Sequence, residues 1–263
     1  MGRGSIFVPP GKMTAVPPVV FLSGFTLTAS LWDQQLRTFS ATRLAIAVDS
    51  RSQGESSVML SGNTPKRRAI DLHELIASLH VSRFVIVGWS QGAQDAAAYI
   101  QEFGTDSLAA IVFIDSPVSY GPAEVEAHKG YSKIVLSGLA LYDADPGKAV
   151  EERVRSIFRK PHPDLDIRHA IDEARKTPPS IAIAIRVMDM FGEDLRPALK
   201  RINRPTLVIA SSESPLLDVQ KEMADEIPGA RWVVVKGAGH ALFIDEPEKF
   251  EDELTRLLQT ASQ

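Results

Sequence analysis

Gly88-Trp89-Ser90-Gln91-Gly92 sets a serine between two glycines, directly after the apolar run Phe84–Val87 and directly before a helical stretch, Ala93–Glu102. A sharp turn from strand to helix lifts its middle residue into a strained, exposed position, and the glycines let neighbouring chain pass close by. The helix N-terminus that follows favours developing negative charge. Ser90 is therefore a candidate nucleophile; the alternative is a glycine-rich turn with a capping serine. A serine hydroxyl needs a base to activate it. Of the six histidines, His240 is the candidate. It sits in Gly237-Ala238-Gly239-His240, between the apolar run Trp232–Val235 and the helical pattern Pro247–Leu258, in a loop at a strand's C-terminal end. His73, His80, His128, His162 and His169 fall in or beside helical patterns or in a proline-broken segment, where packing or surface roles suit them better.

Attack on a carbonyl produces an oxyanion, which two preorganised N–H donors would hold. The backbone N–H of Gln91 is one candidate and that of Phe25, in Ser23-Gly24-Phe25-Thr26, is the other. Phe25 and Trp89 are expected to form apolar pocket walls, joined by Met188, Met190 and Phe191 from a later segment.

These groups need a scaffold. Short apolar runs at Val19–Leu22, Leu44–Val48, Phe84–Val87, Ala109–Ile114, Thr206–Ala210 and Trp232–Val235 suit strands covered on both faces. Between them lie amphipathic stretches, Lys66–Leu79, Ala93–Glu102, Leu217–Glu226 and Pro247–Leu258. Alternation of this kind predicts an α/β fold with a mostly parallel sheet flanked by helices. Residues 118–200 break the alternation with helical stretches, Ala149–Arg159 and Ile181–Phe191, separated by prolines. They are expected to form a helical cap inserted into a core made of 1–117 and 201–263.

Composition narrows the partners. The 263 residues carry 29 Lys and Arg against 33 Asp and Glu, a net charge of −4, and that mild acidity gives no electrostatic case for nucleic acid or anionic membrane. The chain has no cysteine, which removes thiol nucleophiles, thiolate metal sites and disulfides together. The longest apolar run, Leu108–Ile114, is far short of the roughly 20 residues of a membrane span, and MGRGSIFVPPGKMTAVPP lacks the apolar centre of a secretory signal. A cytoplasmic chain is expected. No metal or organic cofactor is indicated, since the glycine signature is neither dinucleotide nor Walker type. His162, Asp164, Asp166 and His169 match no metal spacing and read as a solvated loop. The expected partner is a hydrophobic small molecule, and oligomeric state leaves no mark in the pattern.

Taken together, FLSGFTLTASLWDQQL, AVDSRSQGESS, VIVGWSQGAQDAAAYIQEFG, IVFIDSP, RPTLVIA and GAGHALFIDEPEKF resemble the α/β-hydrolase superfamily, in particular its small bacterial esterase and cofactor-free haloperoxidase-like branch. The resemblance implies the α/β-hydrolase fold, with Ser90 as nucleophile and His240 as base. Three departures stand out. The usual His-Gly after the first strand is Ser23-Gly24; the turn at Asp49–Ser56 loses its first glycine; and the aspartate usual after RPTLVIA is replaced in Ser211-Ser212-Glu213-Ser214-Pro215. Asp115, at the end of IVFID, is the preferred acid. Its placement resembles zearalenone-type lactonases and cofactor-free quinolone dioxygenases. Glu213 is the alternative, and the absence of any acid partner is a third possibility.

Three functions compete on this frame. The first is a serine hydrolase cleaving a hydrophobic ester or lactone through an acyl-enzyme. The second is a cofactor-independent dioxygenase in which His240 and Asp115 deprotonate a heteroaromatic, quinolone-like substrate. Against it, Trp89, Gln91 and Leu27 stand where those relatives carry histidines. The third is a binding protein that kept the fold and lost the chemistry.

Overall fold

The computed structural model describes residues 4–7, 16–119, 129–162 and 165–261. Among these residues seven strands form one sheet: β1 (Gly4–Phe7), β2 (Val19–Leu22), β3 (Ala45–Val48), β4 (Phe84–Trp89), β5 (Leu108–Ile114), β6 (Thr206–Ser211) and β7 (Arg231–Val235). Their order is β1-β3-β2-β4-β5-β6-β7. All neighbours run parallel except β1, which pairs antiparallel with β3 at one edge. The first strand lies outside the six runs expected from the sequence. It is only four residues long, in a stretch rich in glycine and proline, and its place is set by pairing Gly4 with Val48 through Phe7 with Ala45.

Side-chain alternation sorts the strand residues between two cores. Val19 and Phe21 of β2, and Val85, Val87 and Trp89 of β4, face one cluster. Val20 and Leu22, with Phe84 and Ile86, face the other. Both clusters are buried, which is why β2 to β6 read as continuous apolar runs. The last strand, β7, expected to be covered on both faces, is instead an edge strand with only Val235 buried. Helices α1 (Asp33–Ser40) and α10 (Pro247–Ala261) cover the first face; α2 (Pro65–Ser78) and α3 (Gln91–Phe103) cover the second. Helix α8 (Leu217–Glu226) links β6 to β7, and the short α9 (Leu242–Asp245) follows the His240 loop.

Among the described residues between β5 and β6 lie α4 (Lys129–Ala144), α5 (Pro146–Ser156), α6 (Ile167–Arg175) and α7 (Pro179–Phe191). They contribute Tyr142, Val150, Val154, Ile171, Ala182 and Ile185 to the same apolar cluster that holds Trp89 and Phe250. The inserted helices thus share a core with the sheet. No helix among the described residues is long and apolar enough to cross a membrane.

The turn after β4 depends on two close backbone approaches. A Cβ on Gly88 would stand 2.3 Å from the carbonyl oxygen of Gly92, and one on Gly92 would stand 2.4 Å from that of Leu22. Neither contact can relax by rotating a side chain. Gly92→Ala must push α3 away from β2, and overpacking typically costs about 1–3 kcal/mol, with the upper end expected where the neighbour is backbone. The expected result is a much lower urea midpoint for Gly92→Ala; an unchanged midpoint would show that the turn opens freely.

Candidate active site

The parallel strands bring the candidate residues to one sheet edge. Trp89 is in register with Ile114, so the next residues, Ser90 and Asp115, leave neighbouring strands side by side. Both adopt left-handed backbone angles, with φ of 55° at Ser90 and 46° at Asp115. Such angles are costly for residues with a Cβ and persist only where the surroundings enforce them. Here the ladder does so: Ser90 N–H donates to Ile114 O at 3.1 Å and Asp115 N–H to Ile209 O at 2.9 Å. Ala93 N–H then bonds Ser90 O at 3.0 Å and starts α3, which places Gln91 in its first turn.

Asp115 meets His240. The carboxylate Oδ2 lies 2.7 Å from His240 Nδ1, and Oδ1 accepts the Ser211 N–H at 2.8 Å. The side chain of Asp115 is 2 % exposed and that of His240 is 30 % exposed. With a carboxylate at Nδ1, the ring carries its proton there and leaves Nε2 as the acceptor. The loop bearing His240 is fixed from three sides. The Trp89 indole N–H donates to His240 O at 2.9 Å, the Ser211 hydroxyl to Ala238 O at 2.7 Å, and Ala241 N–H to Ile157 O at 2.9 Å. Asp245 completes the support, accepting from Gly239 N–H at 2.6 Å and Arg159 N–H at 2.8 Å, with His162 Nε2 at 2.6 Å. Burial pushes the Asp245 carboxyl up, but these N–H donors and His162 outweigh it and hold the group below the usual carboxylate range.

Glu213 is elsewhere engaged. Its backbone N–H donates to the Ser211 hydroxyl at 3.0 Å, and its carboxylate accepts from the Ser212 hydroxyl at 3.4 Å. It shares the cavity wall with His240, while the carboxylate bonded to the imidazole is that of Asp115.

Ser90, Asp115 and His240 open into one cavity of about 660 Å³. Phe25 lines it as expected. Four other expected wall residues do not. Trp89 is fully buried behind the site, where its indole braces the His240 loop. Met188 and Phe191 lie on the outward face of α7, 39 % and 52 % exposed, because that helix turns Ile181, Ala182 and Ile185 toward the core. Met190 is buried against Val135, Leu216 and Val219, outside the cavity lining. The wall is also less apolar than expected. Beside Leu139 and Tyr142 of α4 it carries Arg153, Arg186 and Glu213. Arg153 donates twice to Phe25 O, at 2.8 and 3.2 Å, and its guanidinium stands 4.7 Å from the Phe25 ring centre, with that of Arg186 at 5.7 Å. Planar cations over an aromatic face are favourable and hold the Phe25 segment down.

Several of these supports were not foreseen from the sequence: Ser211 on Asp115, Asp245 under the His240 loop, Arg153 on Phe25, and a buried polar chain beside Gln91. Only the last left a visible sign, a lone carboxylate, Asp189, in the otherwise apolar end of Ile181–Phe191.

The sheet order, the strained serine at the head of α3 and the helices between β5 and β6 that line the same cavity define an α/β-hydrolase architecture. The chain belongs to the alpha/beta hydrolase family, whose model matches residues 19–253. It is 25% identical over 258 residues to the non-heme chloroperoxidase CPO-A1 of Kitasatospora aureofaciens, covering 92% of each chain. The structure is similar to that of an esterase from Exiguobacterium antarcticum, with a TM-score of 0.86 at 20% identity, covering 98% of this chain and 95% of the other. It is also similar to the enol-lactonase from Burkholderia xenovorans LB400, with a TM-score of 0.79 at 18% identity, covering 98% and 97%. At such identities the two structures share the fold alone.

Proposed function

We propose that this chain is a serine hydrolase that cleaves a carboxylic ester or lactone through an acyl-enzyme. The observation that carries the reading is the 2.7 Å pairing of Asp115 with His240 Nδ1, in a cavity that also receives Ser90. In this mechanism Ser90 Oγ attacks the carbonyl carbon while His240 Nε2 takes its proton. The oxyanion is held by the backbone N–H groups of Phe25 and Gln91. His240 then protonates the leaving alkoxide, and the acyl group stays on Ser90. Water, deprotonated by His240, releases the acid. Asp115 keeps the imidazole in the working tautomer and stabilises the imidazolium that forms twice per cycle. The esterase and enol-lactonase among the similar structures agree with this chemistry. The mixed wall of Leu139, Tyr142, Arg153 and Arg186 favours a substrate with apolar and polar parts over a purely hydrophobic one.

A His–Asp pair of this kind would also serve the dioxygenase reading, in which the serine does not attack. Exposure to a p-nitrophenyl phosphonate separates the two. The expected result is release of one p-nitrophenolate per chain, mass added to the peptide containing Ser90, and ester turnover without oxygen uptake. An unlabelled Ser90 in a protein that consumes oxygen with substrate overturns the hydrolase.

A further inference from the structure

Gln91 enters the mechanism only through its backbone, yet the residue is 1% exposed and its side chain is bonded at both ends. Its Oε1 accepts from Gln53 Nε2 at 2.7 Å, and its Nε2 donates to Asp189 Oδ2 at 2.7 Å. The other oxygen of Asp189 accepts from Arg68 Nη2 at 2.7 Å, and Arg68 Nε donates to Asp95 Oδ1 at 2.7 Å. Gln53, Arg68, Asp95 and Asp189 are all buried. The chain ties together α2, which bears Arg68, α7, which bears Asp189, and α3, which is gripped at Gln91 and again one turn later at Asp95.

Such a chain is an expensive way to join helices. Two buried carboxylates share one guanidinium, and a well-packed apolar contact of similar volume would often be as stable. Burial, with Asp189 nearby, pushes the Asp95 carboxyl up to about 6 against the opposing pull of Arg68. What the polar chain provides and an apolar contact lacks is direction. A carboxylate can only accept, so Asp189 dictates which end of the Gln91 amide faces it and leaves the oxygen for Gln53. Two opposed bonds then fix the side chain and, through it, the first turn of α3. An oxyanion donor must be aimed to within about 0.5 Å to act.

We propose that Asp189 is a positioning residue that acts through the Gln91 side chain to aim the Gln91 N–H at the oxyanion. The helix that supplies it is also the one that places Arg186, one turn earlier, in the cavity wall. Seating of the inserted helices and assembly of the oxyanion site are therefore one event. The inference rests on the hydrolase reading above.

The test is a cycle of Asp189→Asn, Gln91→Met and the double variant, assayed on p-nitrophenyl butyrate, with phosphonate labelling of the wild type in parallel. Asparagine keeps the shape but loses the charge that orders the chain. Methionine keeps the volume and leaves the ion set intact. Each single variant should lower kcat about 10- to 50-fold, a part of what losing a donor outright costs, with KM within about threefold. The double variant should be no slower than the slower single. A lower Tm with unchanged kcat, or losses that multiply, would overturn the positioning role while the wild type still labels at Ser90. Should Asp189→Asn not fold, Gln91→Met decides alone: unchanged kcat overturns the proposal. A wild type that does not label takes down the hydrolase reading and this inference with it.

Discussion

Ester hydrolysis by Ser90→Ala is expected to fall by about six orders of magnitude in kcat, as when a serine hydrolase loses its attacking oxygen. Alanine changes little else. The position already sits at φ 55° with a Cβ, held by the bond to Ile114 O, and no side-chain bond of Ser90 caps α3. Near-ultraviolet circular dichroism and Tm should stay with the wild type. A residual rate about a thousandfold above water is also expected, because substrate binding and the oxyanion donors survive. The measurement is kcat on a p-nitrophenyl ester, using protein made in a host that cannot contaminate it with its own esterases. A loss of only tenfold would remove Ser90 from bond making and leave His240 with Asp115 as a base acting on its own.

What the sequence exposed and what it hid follow from how each feature is encoded. The inner strands were legible because burial on both faces leaves an unbroken apolar run, and Phe84–Trp89 and Leu108–Ile114 are buried throughout. The edge strand Gly4–Phe7 has no such signature: it is four residues long with a single pair of large apolar residues, and its place is set by its antiparallel register with β3, whereas the opposite edge, β7, carries an apolar run. The serine turn was legible because close backbone approach demands glycine at 88 and 92. The preference for Asp115 over Glu213 rests on strand-end placement and on the resemblance to relatives that keep their acid there, and register turns that placement into adjacency. Wall residues were less legible. Met188 and Phe191 are large and apolar, but which face of a helix meets a cavity depends on how that helix is seated. In α7 Ile181, Ala182 and Ile185 turn to the core while Asp189 bonds Arg68 and Gln91, partners far away in sequence. Trp89, expected as a pocket wall, lies behind the site instead, because its place under the His240 loop depends on a carbonyl 151 residues away.

The choice of acid leads to the second large effect. Asp115→Asn is expected to lower kcat by about four orders of magnitude near neutral pH, whereas Glu213→Gln should stay within about threefold. The reason lies in the bond on the far side of the carboxylate. Asp115 Oδ1 accepts the Ser211 N–H, and that donor cannot turn away because it belongs to the end of β6. Asparagine must therefore give its carbonyl oxygen to Ser211 and present its NH₂ to His240 Nδ1. The imidazole then accepts at Nδ1 and carries its proton on Nε2, so it cannot take one from Ser90. The fold should not suffer, since both polar contacts persist with altered donors. Glu213 meets none of these conditions; its carboxylate bonds Ser212, and its removal leaves the imidazole paired. Steady-state kcat for the two variants, measured on one ester with folding checked by Tm, separates the assignments. A loss of decades in Glu213→Gln with a small one in Asp115→Asn would move the acid to the loop after β6. Small losses in both would mean that His240 works without a carboxylate.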